Sequence, residues 1–286
     1  LKEEFFVPPA KKARPFSVMV KPVGSLCNLR CSYCYYIDTV YEENAGTSVK
    51  TAGSAVKTAG AVMTKEILEL FIRQYIEASS GPVVSFTWHG GEPALAGLDF
   101  YRLALDLQKQ YLPKGWSCWN NLQTNGVLLD EQWCSFLAKE HFDVGLSIDG
   151  VRRIHDLYRK DSGGSGTWQS AAAAVKRLQS YGVQPDLLCT VTSDTAAEPL
   201  AVYRALRDLG TGWIQFIPII RTNAGQITPD SVSGQAYGKF LCDIFDEWAL
   251  HDMGRTDIQF FAETLQIWSG GEAGLCFLAP VCGRAL

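Results

Sequence analysis

The chain has 286 residues, of which 47% are hydrophobic and 20% charged, with a formal net charge of -4. That is enough for one large α/β barrel or two ordinary domains, and the balance lacks the basic field that nucleic-acid binding needs. No apolar run reaches a membrane span, and Leu1 to Arg14 carries charges and prolines where a signal peptide needs an unbroken apolar stretch. A cytoplasmic protein with neither a nucleic-acid nor a membrane partner is expected.

Short β-branched or aromatic runs alternate with longer stretches of helical period, the pattern of βα units around a parallel sheet. The first strand is expected at Ser17 to Lys21, followed by a loop rich in cysteine. Within Asn44 to Ala61, Val49-Lys50-Thr51-Ala52-Gly53 recurs as Val56-Lys57-Thr58-Ala59-Gly60. That stretch is too polar and Gly-rich to bury anything and is expected to be a flexible surface insertion. Five further strands are expected at Val83 to Trp88, Ser117 to Gln123, Val144 to Ile148, Asp186 to Thr192 and Trp213 to Ile219. Helices are expected between them at Thr64 to Ala78, Leu98 to Tyr111, Asp130 to Lys139, Thr167 to Tyr181 and Glu198 to Leu209. Thr64 and Asp130 supply cap chemistry, and Gly182 and Gly210 stand where helices stop. Two more helical stretches, Ser233 to Leu250 and Asp257 to Trp268, follow the sixth strand. The division implied is a (β/α)6 core over 1–230 and a helical extension over 231–286.

Nine cysteines are many for a cytosolic chain, and the odd count fits poorly with a complete disulfide framework. Metal or redox chemistry is the better explanation. Cys118, Cys134, Cys189 and Cys242 lie in apolar segments and read as buried small hydrophobes. Cys27, Cys31 and Cys34 crowd together in CNLRCSYCYY, directly after the first strand. Three thiolates bind three irons of a cubane and leave the fourth open to chelate a small molecule. Thiolates also suit zinc, but structural zinc wants four ligands in paired spacing, and His89 is far along the chain. Three clustered core cysteines are the remaining alternative.

CNLRCSYCYY resembles the signature of radical S-adenosylmethionine enzymes, and other blocks strengthen the likeness. Gly90-Gly91-Glu92-Pro93, after His89 and the second strand, is similar to the family's GGEP motif; taken alone it is an ordinary strand-to-helix turn. The blocks WHGGEPALAGLDFY, LQTNGVLLDEQW, VGLSIDG and WIQFIPII together resemble the anaerobic sulfatase-maturating enzymes, from about Pro15 to the end of the chain. The resemblance implies a partial (β/α)6 radical SAM barrel with the beginning of a C-terminal cysteine-rich extension of SPASM type. It implies a [4Fe-4S] cluster on Cys27, Cys31 and Cys34, with S-adenosyl-L-methionine as cosubstrate. The activity implied is oxidation of a sulfatase active-site Cys or Ser to formylglycine (3-oxoalanine) through a 5'-deoxyadenosyl radical. The partners implied are a sulfatase polypeptide and a flavodoxin or ferredoxin electron donor.

By the same resemblance, His89, Gly90, Gly91 and Glu92 hold the methionine amino group, while Ser147 and Asp149 approach the ribose or carboxylate. Arg159, in HDLYRKD, is then a carboxylate partner, Tyr33 lies beside the adenine, and Ile217 forms its apolar wall. The bland readings are a turn at Asp149-Gly150 and a solvated surface charge at Arg159.

The family continues into a module that holds auxiliary [4Fe-4S] clusters, whereas this sequence stops at Leu286. Cys276 and Cys282 match the first auxiliary ligands, but the rest of that set is absent, so free thiols are expected there. The family's catalytic base lies in the absent module, and Tyr36 matches a tyrosine that hydrogen-bonds to it. Packing under the cysteine loop is the alternative for Tyr36. The competing readings are a radical SAM modifier of another peptide target, and a truncated product that binds cluster and cosubstrate without maturase activity.

Overall fold

The computed structural model describes residues 16–36, 62–275 and 277–280. The insertion at 44–61 and both Cys276 and Cys282 lie outside the described residues. The strand-forming runs become β1 (Val18–Val20), β2 (Val83–Trp88), β3 (Ser117–Thr124), β4 (Asp143–Ser147), β5 (Asp186–Val191) and β6 (Trp213–Pro218). Helices α1 (Lys65–Ala78), α2 (Leu98–Tyr111), α3 (Glu131–Lys139), α4 (Arg152–Tyr158), α5 (Trp168–Ser180), α6 (Ser193–Ala196) and α7 (Pro199–Arg207) lie between them. A short hairpin, β7 (Thr222–Asn223) and β8 (Gln226–Ile227), precedes α8 (Gly234–His251), β9 (Asp257–Ile258) and α9 (Gln259–Trp268). The order in the main sheet is β1-β2-β3-β4-β5-β6-β9, parallel throughout.

Local chemistry sets the helix boundaries where the sequence signals them. The Thr64 hydroxyl accepts from Ile67 N at the start of α1, and the Asp130 carboxylate accepts from Trp133 N at 2.9 Å to cap α3. Gly182 follows α5 with φ +80, a left-handed conformation that costs glycine little. Each helix buries one stripe: Leu68, Ile72 and Ile76 of α1 and Tyr101 of α2 meet Phe86, Trp88, Leu122 and Leu146 on one face of the sheet. Asn120, a buried polar residue on that face, is satisfied: its Oδ1 accepts from Trp88 Nε1 and Gln108 Nε2, both at 2.9 Å.

Residues that alternate with this core set point to the other face, because strand side chains alternate. Ser85, Thr87, Asn121, Gln123, Ser147, Thr190 and Gln215 are all half-buried there. The sheet therefore carries its helices on one side, while the other mixes these polar residues with Met19, Trp119, Leu188 and Ile217, the arrangement of an open half-barrel.

Several features differ from the sequence reading. Asp257–Ile258, expected as the start of a helix, pairs with Trp213–Ile214 as a seventh strand, with Asp257 N bonded to Gly212 O at 2.7 Å. Two residues are too few to show a period of two, so tertiary pairing alone specifies this strand. The short helices α4 and α6 and the hairpin are likewise too brief for periodicity to reveal. Cys242 is exposed, not buried, because it falls on the solvent side of α8; Cys134 and Cys189 are buried and Cys118 is half-buried. Among the described residues no helix is long and apolar enough to cross a membrane.

Candidate active site

A parallel sheet brings the ends of consecutive strands to one edge, where α/β enzymes build their sites. Here that edge receives the cysteine loop after β1, the GGEP turn after β2, the Thr124-Asn125-Gly126 turn after β3, Ser147 and Asp149 after β4, and Thr190 near the end of β5.

The cysteine loop is pinned from below by main-chain pairing. Leu29 bridges to Asp161, Arg30 N bonds Lys160 O at 2.7 Å, and Ser32 N bonds Tyr158 O at 3.0 Å. Cys34 N closes a turn on Cys31 O, and Leu29 N points at Cys27 Sγ from 3.3 Å. All three thiols are half-buried and none is in a disulfide. Burial, then the charge of Glu92, pushes the Cys27 thiol up to about 12, and nearby Cys31 and Cys34 add to the rise. Cys31 is pushed up to about 11, mainly by burial, with Arg159 acting against it. Gathered, shielded thiols of this kind need a strongly charged cation to ionise, which is what a cluster iron provides. Among the described residues no three His, Cys, Asp or Glu side chains are grouped to chelate a single metal ion. A cubane takes each thiolate on a different iron and so suits three cysteines, whereas structural zinc wants four ligands.

The GGEP turn docks backbone to backbone on the segment before Cys27. His89 N bonds Val20 O, Gly91 N bonds Gly24 O and Glu92 N bonds Leu26 O, at 2.7, 2.9 and 2.8 Å. A Cβ at Gly91 would fall on the Leu26 carbonyl, and one at Gly90 would lie 2.7 Å from Gly24 O, so only glycine permits the approach. The His89 Nδ1 accepts from Gly90 N at 2.6 Å, and burial, helped by Lys21, keeps the ring below its usual pKa. Glu92 is fully buried, and its carboxylate accepts from Ala94 N, Thr124 Oγ1 and Asn125 N at 2.8–3.0 Å. Burial raises its pKa to about 7 against the pull of those bonds. Glu92 thus ties this turn to the Asn125 turn, and Asn125 Nδ2 in turn reaches Asn28 Oδ1 at 2.8 Å and Cys27 Sγ at 3.7 Å.

Asp149 is 1% exposed and accepts four bonds: from Tyr33 Oη at 2.7 Å, Arg159 Nε at 2.8 Å, Arg159 Nη2 at 3.2 Å and Thr190 N at 2.9 Å. Burial works against its charge, but the Arg159 guanidinium outweighs it and holds the carboxyl below the usual carboxylate range. Arg159 is itself buried, so the sequence alternative of a solvated surface charge is excluded; its carboxylate partner in this structure is Asp149. Tyr33 is buried between Tyr158, 5.4 Å away ring to ring, and the Arg159 guanidinium. Ser147 ends β4, half-buried, and Ile217 sits beside Thr190 in register on β6, 38% exposed. Tyr36 lies under the Lys21 ammonium, 4.8 Å from its ring centre. Cys276 and Cys282 are outside the described residues.

Three participants escaped the sequence reading. Thr190 bonds both members of the ion pair, Arg159 Nη2 reaching its hydroxyl at 3.2 Å. His155 accepts from Asp149 N at 3.2 Å, and Thr167 Oγ1 donates to Arg159 O at 3.0 Å. His155 stands in the HDLYRKD block, but a lone buried histidine carries no signal of its partners.

A model of the radical SAM superfamily matches residues 22–206. The chain is 38% identical over 291 aligned positions to a serine-type anaerobic sulfatase-maturating enzyme of Bacteroides thetaiotaomicron, covering 96% of this chain and 67% of that one. It is 34% identical to a cysteine-type anaerobic sulfatase-maturating enzyme of Clostridium perfringens, over 94% of this chain and 70% of the relative. The structure of native anSMEcpe with bound AdoMet and the Cp18Cys peptide superposes with a TM-score of 0.78 at 33% identity, covering 92% of this chain and 68% of that chain. The chain thus spans about two thirds of the length of these relatives. It belongs to the radical SAM superfamily and, within it, to the anaerobic sulfatase-maturating enzymes.

Proposed function

We propose that this chain supplies the cluster and cosubstrate centre of an oxidoreductase that converts a sulfatase active-site Cys or Ser to formylglycine. One observation carries the reading: the three-cysteine loop, the glycine turn and a buried Asp-Arg pair lock together at one edge of a parallel sheet. Cys27, Cys31 and Cys34 hold the [4Fe-4S] cluster, which when bound supplies one-electron reduction of the S-adenosylmethionine sulfonium, the source of hydrogen abstraction from the target side chain. Glu92 spends its carboxylate on Ala94, Thr124 and Asn125. The methionine amino group is therefore left to the carbonyl oxygens of the His89–Glu92 turn, which Glu92 holds in place. Arg159 turns to the cosubstrate carboxylate while Asp149 keeps it oriented, and Ser147 faces the ribose or carboxylate. Tyr33, with its hydroxyl on Asp149, closes the floor beneath the adenine, and exposed Ile217 offers an apolar wall. The mixed polar and apolar face from Thr87 to Gln215, with Trp119 exposed on it, receives the polypeptide and keeps the target carbon near the reacting centre. Tyr36 matches the tyrosine that in the family hydrogen-bonds to the catalytic base.

The finer parts of the reading rest on the resemblance and on composition: Cys276 and Cys282 as ligands of an auxiliary [4Fe-4S] cluster whose set is incomplete in this sequence, a flavodoxin or ferredoxin donor, and a cytoplasmic setting. A core over 1–230 with an extension over 231–286 also fits, the extension joining the core through β9. The test is anaerobic reconstitution, reduction, and incubation with S-adenosylmethionine and a sulfatase-derived Cys or Ser peptide. The expected result is 5'-deoxyadenosine together with formylglycine in the peptide by mass spectrometry. 5'-Deoxyadenosine with an unmodified peptide would point to another target or to a chain lacking maturase activity, and neither product would overturn the reading.

A further inference from the structure

His155 is 1% exposed and lies on α4, away from the cysteines, yet it connects the two halves of the Asp149–Arg159 pair through the main chain. Its Nδ1 accepts from Asp149 N at 3.2 Å, and its Nε2 lies 3.2 Å from Thr167 Oγ1. An imidazole that accepts at Nδ1 and is neutral carries its proton on Nε2. Burial supports the neutral form by pushing the ring down to about 4. The bonds then run in one direction: Asp149 N–H to Nδ1, Nε2–H to Thr167 Oγ1, and Thr167 O–H to Arg159 O at 3.0 Å. Arg159 N also bonds back to His155 O at 2.7 Å.

The segment fixed in this way is also the one that supports the cysteine loop. Tyr158 O and Lys160 O, flanking Arg159, receive Ser32 N and Arg30 N, and Asp161 bridges to Leu29. Tyr33, between Cys31 and Cys34, closes the circuit through its hydroxyl on Asp149. A crossbar that sets the spacing of Asp149 from Arg159 therefore also sets the position of the loop that pairs with residues 158–161.

We propose that His155, with Thr167, is a positioning residue: it holds Asp149 and the Tyr158–Asp161 segment in one register, and thereby presents the cysteine loop and the Arg159 guanidinium to cluster and cosubstrate together. The geometry stands without any bound group; the consequence for the cosubstrate rests on the function proposed above. The two are tested separately.

Amide hydrogen exchange on the cluster-free chain reads the geometry. His155→Phe and Thr167→Val break the crossbar at different links, so both are expected to speed exchange at Arg30 and Ser32 by about tenfold or more. Exchange in β2 and β3 is expected to change much less. His155→Asn keeps an acceptor for Asp149 N and is expected to recover part of the protection. Unchanged exchange at Arg30 and Ser32 in both Phe and Val variants, or an equal rise throughout the sheet, overturns the proposal. In the reconstituted holoenzyme the same variants are expected to raise the S-adenosylmethionine dissociation constant several-fold, with His155→Asn intermediate. If wild type fails to bind S-adenosylmethionine, the functional reading fails and the exchange result still stands on its own. If wild type binds and the crossbar variants bind equally well, the positioning role fails.

Discussion

A guanidinium with almost no access to water is tolerable at Arg159 only because Asp149 sits on it, and the two are worth more together than either is alone. Asp149→Asn leaves the cation buried without its counter-charge and is expected to cost about 3–5 kcal/mol in denaturant unfolding. An Asp149→Leu, Arg159→Met double variant removes both charges and is expected to lose much less stability while still abolishing cosubstrate binding. Asp186 gives a test of pH dependence away from the cysteines. Burial, and then the neighbouring Asp143, raises its carboxyl from 3.8 to about 6. The native state then holds that proton more tightly than the unfolded chain, so the contribution of Asp186 to stability is greatest below pH 3.8 and is lost as pH rises through about 6. Asp186→Asn is expected to stabilise the chain at pH 7.5 by about 1–2 kcal/mol, after allowing for partial exposure. The gain should shrink as the pH is lowered toward 4, and a gain independent of pH would contradict the assignment.

Between elements, the decisive contact is the one between the GGEP turn and the segment before Cys27, because three main-chain bonds cross it and no side chain fits within it. Gly91→Ala is expected to keep the sheet, judged by far-UV circular dichroism, and to lower iron incorporation sharply. An alanine variant with full iron loading would show that the loop is positioned otherwise. The motif and its place after β2 were legible in the sequence, but its docking on residues 20–26 was not, because only the fold brings the two segments together. The six longer strands and the capped helices were legible too, because burial on one face imposes a period that the residues repeat. What periodicity does not encode is pairing. β9 exists because Trp213–Ile214 offers an edge, Cys242 is exposed because of the rotation of α8, and the His155-Thr167 link joins residues that only tertiary packing brings together. The motifs identified Arg159 and Asp149 as candidates but not their bond to each other, which is a property of the fold.

At the scale of the molecule, a parallel sheet packed by helices on one side brings the ends of its strands to one working edge. That edge gathers the thiols. The measurement closest to the centre of this account is iron and acid-labile sulfide in anaerobically reconstituted protein, for the wild type and for Cys27→Ala, Cys31→Ala and Cys34→Ala. The expected outcome is one [4Fe-4S] equivalent in the wild type that each substitution removes. Stoichiometric zinc without iron, or iron and sulfide indifferent to all three substitutions, would contradict it.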